Sequence, residues 1–158
     1  MKKLLFALIA VAGITASAAV NEITPKLGFS QSTLNTGVDF THYYANNAGF
    51  GGYLFLQTES TSNGVAAATA LGGHMKFMVW SDNTFNFYVA PGFGVLMMKD
   101  AAGDNQTGIG PSLKLGSQYW LNNTMAIGLE RNAFANWFNN KLSANDLALY
   151  QATFSIRF

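Results

Sequence analysis

Beyond residue 20 the chain repeats one pattern: apolar and polar residues alternate, and clusters of turn residues interrupt them. In "ITPKLGFS", Ile23, Pro25, Leu27 and Phe29 share a face. In "VDFTHYY", Val38, Phe40, His42 and Tyr44 lie opposite Asp39, Thr41 and Tyr43. "LGGHMKFMVW" sets Leu71, Met75, Phe77 and Val79 against His74, Lys76 and Met78. The longest case, "TFNFYVAPGFGVLM", carries Phe85, Phe87, Val89, Phe93, Val95 and Met97 on one side and Thr84, Asn86, Tyr88 and Ala90 on the other. "IGPSLKLGSQY", "TMAIGLERN" and residues 146–158 continue the rhythm, and "GFGGYLFLQTE" is its least regular member. Period-two alternation marks a strand with one apolar face. The pattern therefore predicts eight strands and no helix after residue 20.

The connections alternate as well. Three are short and alike: Ala45-Asn46-Asn47, Ser81-Asp82-Asn83 and Leu121-Asn122-Asn123. A three-residue hairpin loop needs a last residue in the left-handed region, which Asn tolerates better than most. The other connections, 30–35, 59–69, 99–106 and 132–145, are longer and polar. Short and long connections in turn predict an up-and-down antiparallel meander with two unlike ends.

The first residues, "MKKLLFALIAVAGITASAAV", belong to a different kind of segment. Lys2 and Lys3 precede an apolar run from Leu4 to Ile14, and Ala16-Ser17-Ala18 supplies an A-x-A cleavage site. The run is too short to span a bilayer, which takes about 20 residues. Residues 1–18 are thus expected to be a cleavable signal peptide, and residues 19–158 one barrel domain. Cleavage leaves seven of the nine basic residues against eight acidic ones. No basic patch remains for nucleic acid, and with no cysteine there is neither a disulfide nor a thiolate metal site.

Composition decides which way the strands face. Charged residues make up only 11% of the chain and aromatics 14%, whereas a soluble surface carries about 25–35% charged residues. A closed barrel with an apolar interior would leave too little charge to cover its outside. The charges themselves fall on the other parity: Lys26, Asp39, Lys76, Lys114, Glu130 and Arg157 oppose the large apolar residues. A Lys or Arg facing lipid costs roughly 2–4 kcal/mol at the midplane and about 0–1 near the interface. The apolar face therefore belongs to lipid and the charges form a lumen layer. Arg131 breaks the parity and is expected near a strand end, where its cost is small. Trp80 and Trp120 also strain the pattern. They lie beside short turns, where an outward aromatic girdle is expected, yet strict parity turns them inward. Either the register slips there or the rings plug that end.

The tail completes the picture. Tyr150, Phe154, Ile156 and Phe158 alternate with Gln151, Thr153, Ser155 and Arg157 up to the last residue. With the signal peptide and the eight-strand rhythm, these residues make the chain resemble small bacterial outer-membrane β-barrels of the OmpA/OmpX kind. The resemblance implies an all-β, eight-stranded, antiparallel up-and-down transmembrane barrel in a Gram-negative outer membrane. It implies periplasmic mature termini, and Tyr150, Phe154, Ile156 and Phe158 as the signal read by the barrel assembly machinery. The expected partners are outer-membrane lipid and lipopolysaccharide, with an extracellular ligand unknown, and the expected state is a monomer.

Three roles stay open: a structural or surface-interaction barrel with a filled lumen, a narrow conduit for small solutes or ions, and a lipid A-modifying enzyme. The first is preferred, with no catalytic residue, metal or cofactor. His42 takes lipid-facing parity and His74 faces the lumen beside Lys76, and neither has a Ser or acidic partner placed as a triad requires. "GFGG" is not followed by a helix that could hold an anion. Phe134, Trp137 and Phe138 in the last long connection are the candidate surface contact, although a flap packed over the barrel mouth or dipping into the lipopolysaccharide interface is the preferred explanation of them. A final expectation concerns register. If 121–123 is a three-residue loop, Trp120 pairs with Thr124, and Lys114 then meets Glu130 across the strands.

Overall fold

A computed structural model describes residues 20–30, 33–58, 67–99, 104–137 and 146–158; the expected signal peptide, residues 1–18, and Phe138 lie outside these. Eight strands follow in order: β1 (Val20–Ser30), β2 (Thr33–Ala45), β3 (Ala48–Gln57), β4 (Ala68–Ser81), β5 (Phe85–Lys99), β6 (Asn105–Trp120), β7 (Met125–Ala135) and β8 (Asp146–Arg157). Each pairs antiparallel with the next, and β8 closes on β1 into a barrel. The closing seam sets Ile23 against Ile156 and Leu27 against Ala152. Phe158 continues it, since its N–H donates to the Asn21 carbonyl at 3.0 Å and its own carbonyl accepts from Asn21 at 2.9 Å. The last residue is therefore held by the first strand.

The eight-strand reading matches this architecture strand for strand, but the turns differ in size. Ala45 pairs directly with Ala48, so the first short turn is the two residues Asn46 and Asn47. In the second, Asp82 Oδ1 accepts from the backbone N–H of Thr84 and of Phe85, both at 2.7 Å. In the third, Asn122 Oδ1 accepts from the N–H of Thr124 and Met125 at 2.9 and 2.8 Å. The common device in these two turns is a side-chain oxygen capturing backbone donors two and three residues on. That capture lengthens the third turn: Trp120 pairs with Ala126, not Thr124. Lys114 consequently faces Asn132, and Glu130 faces Gly116. The expected Lys114–Glu130 cross-strand pair is not formed. The slip is two residues, so each side chain keeps its side of the wall.

The two rim tryptophans part ways. The β4–β5 register shifts between Met78 and Trp80, which turns Trp80 outward against Phe85 and Phe87 at ring separations of 6.0 and 6.2 Å. Trp120 keeps its parity and stays inside, under the Arg157 guanidinium. One joins the girdle and the other helps to plug that end.

The wall faces as the charges require. Phe29, Leu71, Leu129 and Tyr150 are outward and exposed, Phe29 by 70% and Leu129 by 68%. Inward positions are buried and mostly polar toward the short turns, but not toward the long connections. There Tyr53, Phe55, Ala68, Ala70, Leu96, Met98, Phe134 and Leu149 form an apolar cluster inside the barrel. Phe134 thus corrects the expected contact surface. It sits on β7 and is 4% exposed, because that strand runs past it to Ala135. The same extension places Arg131 well inside its strand, not near the end.

Candidate functional site

The lower half of the lumen is filled by a network of charged, polar and aromatic side chains drawn from all eight strands. Glycines make room for its larger members. A Cβ at Gly116 would lie 2.2 Å from the Tyr88 ring, and one at Gly72 would lie 2.5 Å from the Tyr53 hydroxyl. Only glycine lets these rings lie across the lumen.

Two carboxylates organise the middle level. Asp39 Oδ2 accepts from Lys26 Nζ at 2.6 Å and from Lys114 Nζ at 2.7 Å. Lys26 also pairs with Glu130, whose second oxygen accepts the Tyr88 hydroxyl at 2.7 Å. Lys114 Nζ lies 4.1 Å from the Tyr53 ring centroid and donates to His74 Nδ1 at 3.3 Å. The other imidazole nitrogen, Nε2, meets Thr41 Oγ1 at 3.1 Å.

A third carboxylate, Glu22, anchors the level beneath. Its Oε1 accepts from Lys76 Nζ at 2.6 Å and from Gln118 Nε2 at 2.9 Å. Its Oε2 accepts from Arg157 Nε at 3.1 Å and from the Tyr43 hydroxyl at 3.2 Å. The ammonium of Lys76 sits 4.0 Å over the Tyr88 ring, and the Arg157 guanidinium 3.8 Å over the Trp120 ring. Such contacts place cations on aromatic faces where little water reaches them. Four cations meet three carboxylates, and each carboxylate has at least two charge-assisted or hydroxyl donors. Burial of this kind is tolerated only when partners are complete.

All six residues expected to form a charge layer are in this network: Lys26, Asp39, Lys76, Lys114, Glu130 and Arg157. Their partners are not those that strand-by-strand counting suggests, since most bonds cross the lumen. Glu22 is the member that the sequence reading overlooked. Its signal was parity, because Glu22 precedes Thr24 and Lys26 on the same face of β1. The tail residues Tyr150, Phe154, Ile156 and Phe158 lie on the outward side of β8 and its extension, with Tyr150 exposed by 66%. Of the candidate surface contacts, only Trp137 among the described residues is exposed, and its ring meets Phe93 on the barrel's outer wall at 6.5 Å. His42 is half-buried on the outer wall, bonded to Asn21 at 2.9 Å and beside Phe50. His42 and His74 therefore stand on opposite sides of the wall. Among the described residues no group of three or more His, Asp or Glu could hold a metal ion.

This is the fold of the small eight-stranded outer-membrane β-barrels. The chain is similar to the N-terminal β-barrel domain of Pseudomonas aeruginosa OprF, with a TM-score of 0.66 and 9% identity over 89% of this chain and 96% of that one. It is similar to Neisserial surface protein A, at 0.58 and 10% over 88% and 94%. The outer membrane enzyme PagL also shares the fold, at 0.54 and 12% over 85% and 98%. No protein-family model matches the chain, and no curated protein matches it in sequence.

Proposed function

We propose that the protein is an integral outer-membrane barrel with a closed lumen, serving envelope integrity or contact at the cell surface, and without enzymatic activity. One observation carries this reading: the lumen is crossed by a paired ionic network and, above it, by a packed apolar cluster. An eight-stranded barrel is just wide enough for side chains to fill, and here two different fillings lie in series. The outward face is apolar and the charges are internal, which suits lipid on the outside. The short Asn turns then lie in the periplasm with both ends of the mature chain, and the longer connections lie outside the cell. The outward tail residues on β8 are available to the assembly machinery, and residues 1–18 direct export.

Single-channel recording in planar bilayers tests the closed lumen. The wild-type protein should give no open steps. Steady conductance from the folded barrel would overturn the reading in favour of a conduit. Orientation has its own test, because the chain contains no cysteine. Asp104→Cys should react with an impermeant maleimide on intact cells, and Asn123→Cys only after the outer membrane is broken. Enzymatic function has a separate one. His74→Ala and His42→Ala cells should show the same lipid A pattern as wild type; a changed pattern would point to catalysis.

A further inference from the structure

The lumen network uses only part of the Arg157 guanidinium. Its Nε donates to Glu22 and its Cζ lies over the Trp120 ring, yet a quarter of the side chain is exposed. Among the described residues its two terminal nitrogens make no hydrogen bond or ion pair. Arg157 borders a pocket of ≈ 180 Å³ at the short-turn end, which Trp120, Ser81, Asp82, Asn122 and Asn123 also line. Asn86 fixes the floor. With its amide oriented to satisfy both ends, it donates to Ser81 Oγ at 2.6 Å and accepts the Trp120 indole N–H at 2.8 Å. The indole is thus held at its edge by Asn86 and on its face by Arg157.

The walls are the β4–β5 and β6–β7 turns, and the capping of each leaves one group spare. Asp82 turns Oδ1 alone to the backbone of Thr84 and Phe85, so Oδ2 has no partner among the described residues. Asn122 turns Oδ1 to Thr124 and Met125, so its amide nitrogen is likewise unpartnered. Arg157 stands next to that second turn, because its backbone N–H donates to the Thr124 carbonyl at 2.8 Å. One wall thus offers a carboxylate oxygen, and the other a guanidinium beside an amide donor. Asp82 and Arg157 line the same pocket without pairing with each other. A simple anion is repelled by the first and a simple cation by the second.

Size and position narrow the occupant further. Ordinary small-molecule pockets span about 300–1,000 Å³, so this one takes a compact head group and not a chain. Asn86, Trp120 and Arg157 have inward parity, so the pocket opens inside the ring of turns, beyond the reach of a lipid in the wall. Above it the ionic network closes the lumen, so a solute can be held there but not passed on. We infer that the pocket binds a free α-amino acid, with its ammonium on Asp82 Oδ2 and its carboxylate shared by the terminal nitrogens of Arg157 and the Asn122 amide. Paired donors of this kind suit a carboxylate. On the orientation proposed above, the amino acid comes from the periplasm.

The test is NMR of the isotope-labelled barrel in lipid nanodiscs, read at the Trp120 indole N–H during titration with alanine, N-acetylalanine and alaninamide. Alanine should shift that resonance saturably and leave the Trp80 and Trp137 indoles still. N-acetylalanine lacks the ammonium and alaninamide lacks the carboxylate. Each should bind about tenfold more weakly, the scale of one charge-assisted contact. Asp82→Asn keeps the oxygen that caps its turn, and should weaken alanine and alaninamide but not N-acetylalanine. Asn122→Asp also keeps its capping oxygen, and should weaken alanine and N-acetylalanine but not alaninamide. The wild-type titrations decide even if a variant fails to fold. If alanine does not shift Trp120 saturably, if either blocked form binds as tightly, or if the folded variants bind alanine as wild type does, the assignment is wrong. Inverted cysteine labelling would overturn only the periplasmic source, since binding to the purified barrel does not depend on which way it faces.

Discussion

The two halves of the lumen solve the same filling problem by opposite chemistry. Toward the short turns, Glu22, Asp39 and Glu130 gather lysines, an arginine and tyrosine hydroxyls into bonds of defined length and direction. Toward the long connections, Phe55, Leu96, Met98, Phe134 and Leu149 fill the space by shape alone. Apolar packing is forgiving in detail and costs little to desolvate. A buried charge is not forgiving: once a partner is lost, the remaining ion is stranded. The contrast teaches that the ionic half fixes which strands face one another, whereas the apolar half adds stability without demanding a particular pairing.

Breaking the ionic half should have the largest effect. Glu22→Ala leaves the buried Lys76 ammonium without its carboxylate and should cost about 3–5 kcal/mol, read as a lower urea midpoint in lipid vesicles. Glu22→Leu combined with Lys76→Met should recover most of that loss, since an apolar replacement of a whole pair is often neutral. Arg157, with its side chain a quarter exposed, can turn to water. Failure to recover would mean that the network holds the fold by more than pairing.

In the apolar half, Leu96→Ala should cost about 2–5 kcal/mol by leaving a cavity. The same urea titration checks it, and Leu96→Met should be nearly neutral because volume is conserved. A loss from Leu96→Met as large as from Leu96→Ala would show that this half is as exacting as the other. Lys114→Met is a milder blow to the ionic half, because Asp39 keeps Lys26. It should cost about 1–3 kcal/mol, below Glu22→Ala in the same assay.

The smallest effect lies outside both halves, in the exposed turn at Asp82. The backbone N–H groups of Thr84 and Phe85 hold its carboxyl below the ordinary value of 3.8. A depressed folded-state value means stability that is present above the ordinary range and lost as pH falls through the folded one. The gap between wild type and Asp82→Ala should therefore be small, constant above the ordinary range, and closed in stronger acid. A gap that persists there would mean that the charge plays no part.

Much of this molecule is legible at period two. The eight strands, their lipid face and the inward parity of Lys26, Asp39, Lys76, Lys114, Glu130 and Arg157 follow from alternation and from the cost of charge in lipid, and both are local properties. Glu22 was legible by the same rule and was missed only because the first strand was read from Ile23. What the sequence alone did not determine is register and partnership. The Asn122 oxygen captures two backbone donors, which lengthens one turn and moves Glu130 from Lys114 to Lys26 across the lumen. A register shift between Met78 and Trp80 sends one tryptophan outward and leaves Trp120 inside. The run of β7 past Asn132 to Ala135 carries Phe134 from an expected outer surface into the apolar cluster. Alternation says which side of a wall a residue takes. Which residue it meets depends on turn length and strand stagger around a closed ring, and a closed ring exists only in the tertiary structure.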